Sequence, residues 1–392
     1  MISRQPSVVI ALGLGQVLAW GSTFYLPAIL APAMAGDLGV AKSTVFAAFS
    51  TALGLSALLG PSAGRAVDKR GGKPVLAATN VVFALGLWAL SQVHTLPGLF
   101  LAWTVLGLGM GAGLYETAFA AVVRLYGQSA RNAITGITLI AGFTSTVAWP
   151  LSQWLLDAHG WRGACEAWAL LHLVLGLPLH LALAAGHTHS APEMAPQPSA
   201  DFNATNTPAT ARAHLARNTG LLAYAFAAAW FVASAYAAHL PIVLGLAGAA
   251  TGLAVTAAAL IGPAQVVGRL LEFSLQQRLS PLLTARVAAV THPLGAGALV
   301  LLGTAGCLPF ALLHGFGNGI LTIAKGTLPL IFFGAQGYGA RQGWLLMPSR
   351  ITQALAPFAF GLLLDRMGLA AVWVSAALGV SVFVALACLR RP

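Results

Sequence analysis

Charge is too scarce along this chain for a fold that must face water. Of 392 residues, 58% are hydrophobic and 7% are charged, against about a quarter charged in soluble domains. Helices in lipid need no charged coat, because they satisfy their backbone N–H and C=O groups internally. A membrane barrel would need segments alternating apolar and polar residues, and the sequence has none. The chain is therefore expected to be an all-α membrane protein. Cys165, Cys307 and Cys388 are scattered and form no CxxC pair, so neither a disulfide framework nor a metal cluster is implied. Met1 to Ser7 leads straight into the first apolar run with no A-x-A site, so no cleavable signal is expected.

A hydrocarbon core of about 30 Å needs roughly 20 apolar residues per helix. With Gly, Pro and charge clusters as breaks, spans are expected at 8–30, 43–63, 74–93, 98–121, 133–155 and 163–184. A second set follows at 218–240, 252–271, 284–304, 307–332, 343–363 and 369–389. These twelve transmembrane helices make two six-helix bundles, residues 1–186 and 218–392. Residues 187–217, rich in Pro, Ala, Thr, Asn and Ser, read as a cytoplasmic linker. His187 and His189 fall in it, and a polar linker explains them better than a metal site.

The net charge of +11 invites a nucleic-acid reading, but the bases form no stripe. They obey the positive-inside rule. With the N-terminus cytoplasmic, Arg4, Arg65, Lys69, Arg70, Lys73, Arg124, Arg131, Arg212, Arg217, Arg269, Arg278, Arg286, Arg341, Arg390 and Arg391 lie inside, and only Lys42, Arg162 and Arg366 outside. Both termini are then cytoplasmic, in a bacterial-type inner membrane.

The halves are related. Gly64-Arg65-Ala66-Val67-Asp68 returns as Gly268-Arg269-Leu270-Leu271-Glu272, and Tyr25-Leu26-Pro27 as His239-Leu240-Pro241. Gly107, Gly109 and Gly111 match Gly315, Gly317 and Gly319, while Asp157 and Gly160 match Asp365 and Gly368. The separations are 204 to 214 residues in constant order. Two related bundles rocking about a midplane site are what alternating access requires. The Gly107-x-Gly-x-Gly-x-Gly113 run follows no strand, so close helix packing explains it rather than a nucleotide loop.

Gly64 to Lys73 resembles the loop between spans two and three of the major facilitator superfamily, G-x-x-x-D-[RK]-x-G-x-[RK]. The match includes Gly64, Asp68, Lys69, Gly71 and Lys73. The resemblance implies twelve spans, alternating access, and a conformational latch at Asp68 that stabilises the outward-open state. Physically, Gly64 permits close helix approach, and Asp68 is placed to accept from a helix N-terminus or an arginine. The second copy has Glu272 with no base after it, a weaker latch. Gly60-Pro61, Gln265 followed by Arg269, and a base within span eleven resemble the monocarboxylate and oxalate–formate exchanger branch. The span-five region Gly142 to Pro150 lacks the glycine cluster of drug antiporters.

Ionisable residues within spans are functional candidates because burying them is costly. Glu116 lies on span four, Lys325 on span ten and Arg350 on span eleven. The resemblance places spans one, four, seven and ten around the cavity, so Glu116 and Lys325 are expected to face one another, with Glu116 taking a coupling proton. The alternative is a purely structural ion pair. Arg350, with Arg269 and Gln265 on span eight, suits a carboxylate, although a snorkelling arginine would also fit. Gln16, Trp20, Thr23, Tyr25, Tyr224, Trp230, Tyr236 and His239 complete the candidate pathway, or anchor helix ends.

The reading is a secondary transporter of a small solute, proton-coupled and carrying an organic anion, with the proton gradient in place of a cofactor. It is expected to be a monomer in lipid, with no nucleic-acid partner and no enzymatic activity. The alternatives are an efflux carrier for a hydrophobic compound and a non-transporting membrane sensor.

Overall fold

The computed structural model describes residues 4–183, 209–275 and 278–389. Every element is helical: α1 (Gln5–Gly21), α2 (Leu26–Leu38), α3 (Lys42–Arg70), α4 (Gly72–Ser91), α5 (Leu96–Gly113), α6 (Tyr115–Tyr126), α7 (Arg131–Ala141), α8 (Thr144–Leu171) and α9 (Leu177–Ala182). After the linker come α10 (Ala209–Leu246), α11 (Thr251–Leu275), α12 (Pro281–Leu302), α13 (Cys307–Phe333), α14 (Tyr338–Met367) and α15 (Ala371–Ala387). Phe358 and Leu301 are 78% and 75% exposed. Large apolar side chains left this bare fit a lipid solvent.

Eight helical stretches are long and apolar enough to cross a membrane. Three exceed one crossing: Leu96–Ala182, Pro281–Phe333 and Tyr338–Ala387 run for 87, 53 and 50 residues. Within them the chain turns at Gly127, Gly160, Gly303 and Gly368, all with φ between 57° and 69°, a region that a Cβ disfavours. Among the described residues these turns divide the eight stretches into twelve segments, consistent with the twelve spans expected from the sequence.

Several boundaries differ from the sequence expectation. The first crossing runs Gln5–Leu38, interrupted at 22–25, where Pro27 supplies no N–H to continue the helix. The fourth is α5 and α6, broken at Leu114. The second extends to Arg70, so the latch motif is no loop: Asp68 sits on the last turn of α3 and Gly71 makes the bend. Likewise Arg269 and Glu272 lie inside α11 and are buried there, where an end of the span was expected. The expected linker 187–217 gives way to helix at Ala209; His187 and His189 lie outside the described residues.

The chain forms two compact units, Met1–His187 with Gly337–Met347, and Thr188–Gln336 with Pro348–Pro392. The first turns of α14 thus belong to the first unit. Within each unit the glycine run of the fourth or tenth span packs in the same way. A Cβ on Gly107 or Gly111 would meet Ala52 or Ser56 on α3, and one on Gly109 would meet Phe83 on α4. In the second unit Gly315 and Gly319 meet Ile261 and Gln265 on α11, and Gly317 meets Thr291 on α12. Small residues let backbones approach where lipid supplies no hydrophobic drive. The shared geometry makes the duplication physical.

Candidate functional site

In the first unit, a break in one helix is mended by a side chain from another. α5 stops at Gly113 because Leu114 is extended, with ψ −168°. The N–H of Thr117, the usual partner for the Gly113 carbonyl, bonds Leu114 instead. Gln16, fully buried on α1, donates its Nε2 to that carbonyl at 2.9 Å and accepts Trp20 Nε1 at 3.1 Å. The repair holds the start of α6 beside α1, and Glu116 lies in that first helical turn. A carboxylate suits a helix N-terminus, where the dipole favours negative charge. Trp20 packs 5.1 Å from Tyr115 and 5.3 Å from Phe24, and Tyr25 lies 5.7 Å from Trp149. Thr23 donates to the Ala19 carbonyl, a local role within α1. Gln16, Trp20 and Tyr115 therefore meet at the break, and Glu116 is the next residue along α6.

The motif residues occupy the C-terminal end of α3. Asp68 Oδ1 accepts from the Gly339 N–H at 2.9 Å and Oδ2 from the Ala340 N–H at 2.8 Å. These are the second and third residues of α14, so the carboxylate caps a helix N-terminus with both oxygens. A Cβ on Gly64 would run into the Gly339 carbonyl, and one on Gly343 into Gly60. Glycine is required at this crossing. Arg124 donates to the carbonyls of Val67 and Asp68, capping the C-terminus of α3. Lys69 is exposed and Lys73 half-buried. On the expected outer side, Arg162 pairs with Asp37 and donates to the Val93 carbonyl at 2.7 Å.

In the second unit, Lys325 is buried on α13 with its ammonium 3.5 Å from the Trp230 ring centre, a cation–π geometry. Arg350 on α14 is 8% exposed. Arg269 Nη2 donates to Gln265 Oε1 at 3.4 Å, a long i,i+4 bond along α11. His239 Nε2 donates to the Pro357 carbonyl at 2.7 Å. Tyr224 is exposed and bonds Ser381 at 2.7 Å, so it faces away from the unit's interior. Tyr236 is buried, with its hydroxyl 2.7 Å from Ser375 Oγ.

Sequence reasoning passed over four buried histidines, although the rule for intramembrane ionisable groups covers them. In the first unit, His172 Nδ1 donates to Asn80 Oδ1 at 3.0 Å, and its Nε2 accepts from Ser22 at 2.8 Å. Asn80 Nδ2 donates to His180 Nδ1 at 2.6 Å. His172 opens a π-helical turn, His172–Gly176, in the sixth crossing. In the second unit, His292 and His314 meet Nδ1 to Nδ1 at 3.0 Å beside Tyr236.

The comparisons with known proteins fit this geometry. The sequence profile of the Major Facilitator Superfamily matches residues 12–347. The chain belongs to that superfamily. Membership makes it a multi-pass membrane protein. The chain is also similar to monocarboxylate transporter 13 of Rattus norvegicus, 35% identical over 114 residues, and to that of Bos taurus, 34% identical over the same length. These matches span 29% of this chain and 25% of the length of each relative. Among solved structures, the fold is similar to a superfamily transporter, FucP, in the outward conformation, with TM-score 0.73 and 15% identity over 98% of this chain and 100% of that one. It is also similar to the proton:xylose symporter XylE bound to 6-bromo-6-deoxy-D-glucose, with TM-score 0.70 and 13% identity over 97% and 94% of the two chains. At these identities the likeness is one of fold.

Proposed function

We propose that this superfamily member couples proton movement to transport of a small organic anion, of the monocarboxylate class. The observation that carries the reading is the burial of two cations, Lys325 and Arg350, within spans of the second unit. Charge at such depth is costly unless it serves a ligand or a partner. The partial similarity to monocarboxylate transporters points the same way. Arg350 has the planar fork that suits a carboxylate, and Lys325, over the Trp230 ring, supplies positive field. Glu116 takes the coupling proton: it is the carboxylate at the break in the fourth crossing, held in place through Gln16. Asp68 acts as a latch, its two bonds to the N-terminus of α14 being made in one conformation and lost in the other. The basic residues support a bacterial-type inner membrane with both termini cytoplasmic, and the protein acts as a monomer without cofactor.

The test is uptake of labelled monocarboxylates by proteoliposomes. Arg350→Lys keeps the charge but loses the fork, and uptake is expected to fall at least tenfold, an effect of roughly 1.4 kcal/mol or more. Unchanged uptake in that variant would overturn the anion assignment. A second reading, efflux of a hydrophobic compound, is favoured by the aromatic set Trp20, Phe24 and Tyr115. A thermal-shift screen separates the two, since a ligand stabilises the protein it binds: carboxylates raising the midpoint select the first, apolar drugs the second.

A further inference from the structure

The hydrogen bonds around His314 allow a proton assignment. The Val372 carbonyl can only accept, and it lies 2.7 Å from Ser375 Oγ, so the one hydroxyl proton of Ser375 is assigned to it. Its oxygen then accepts from Tyr236 at 2.7 Å and from His292 Nε2 at 3.2 Å. Neutral His292 thus carries its proton on Nε2, which leaves its Nδ1 as an acceptor. The contact of 3.0 Å between the two Nδ1 atoms therefore requires His314 to be the donor. Its Nε2 is left with a lone pair and no protein partner among the described residues. His314, His292 and Asn318 line a cavity of about 30 Å³ inside the second unit, room for about two waters.

We propose that His314 Nε2 is a proton-binding site, separate from Glu116, reached through this cavity. A proton passes from hydronium in the cavity to the Nε2 lone pair; the O–H bond breaks, the N–H bond forms and water remains. The product imidazolium keeps its Nδ1–H bond to His292. Phe310 lies parallel to it at 5.6 Å and Tyr236 is tilted by 55° at 5.2 Å, so aromatic rings flank the positive charge. The titratable groups facing His314 are Tyr236 from α10 and His292 from α12, both bonded in turn to Ser375 of α15. On α11 the nearest approach is apolar, Ile261 and Ala264 against Gly315, and Arg269 and Glu272 lie beyond Gly268, which contacts Phe316. On its own helix Lys325 is eleven residues away, roughly 16 Å. Placing the second proton among aromatic rings leaves no fixed anion holding it, so it can leave as readily as it arrives.

The first unit provides the contrast. His172 and His180 each accept on one nitrogen, from Ser22 and Asn80, so neither offers a free lone pair. Ring-nitrogen NMR of the purified, ¹⁵N-histidine-labelled protein across a pH titration tests the proposal without any substrate, so its outcome is independent of the anion and Glu116 readings. The expected result is the Nδ1–H form of His314 at neutral pH, and loss of its bare-nitrogen resonance on acidification before those of His172 and His180. His314→Gln assigns the signal. Should that variant fail to fold, Ser375→Ala assigns the pair by moving the His292 Nε2 resonance. A His314 carrying its proton on Nε2 at neutral pH, or titrating together with or after His172 and His180, overturns the proposal.

Discussion

Gln16 does work at the residue scale that no local pattern announces. Its amide satisfies the carbonyl freed where α5 ends and holds the aromatic Trp20 against the start of α6. Replacing it by Leu leaves the Gly113 carbonyl buried and unpaired, which costs about 1–3 kcal/mol. Gln16→Leu is therefore expected to lower the thermal midpoint of the purified protein and to impair transport through displacement of Glu116; Gln16→Glu, which protonated can still donate, should recover part of the stability. An unchanged midpoint in the Leu variant would contradict this role. The sequence marks Gln16 only as a polar residue in an apolar span. Its partner lies 97 positions away, and the missing helical bond that creates the need is visible only once Leu114 is seen to be extended.

At the scale of elements, the crossing of α3 with the first turns of α14 carries the proposed latch. Two bonds to a carboxylate are charge-assisted, each worth about 1.5–3 kcal/mol. Losing even 2 kcal/mol shifts a two-state equilibrium roughly thirtyfold. Asp68→Asn should thus reduce turnover in proteoliposomes by about an order of magnitude or more while leaving the helices intact by circular dichroism. Gly64→Val should have the same effect by a different route, because its side chain pushes into the Gly339 carbonyl. Normal turnover in both would rule out the latch. In the glycine runs, Gly109→Leu and its counterpart Gly317→Leu should both destabilise, the first through Phe83 and the second through Thr291; a neutral thermal midpoint in either would contradict the close packing. The span count and these glycine positions are legible in sequence because bilayer thickness and small-residue packing impose them directly. The extension of α3 to Arg70 was hidden, since lysine and arginine at a helix end read equally well as a loop. So was the helical start at Ala209, where polar composition reads as linker.

For the whole molecule, the superfamily fold was readable from the motif at Asp68 and the register of the repeat. The buried histidines were not singled out because a neutral imidazole does not enter a count of charges. Each unit also carries its own chemistry: the first holds Glu116 and the Asp68 latch, and the second holds Lys325, Arg350 and the His292–His314 pair. The proposed coupling links protonation of the acid in the first unit to movement of the anion held by the bases of the second. Accumulation of a labelled monocarboxylate in proteoliposomes under an imposed proton gradient tests it, with wild type and Glu116→Gln compared. Gradient-driven accumulation that an uncoupler abolishes is expected in the wild type, and its loss in Glu116→Gln with exchange of internal for external substrate retained. Accumulation by Glu116→Gln equal to the wild type would contradict it.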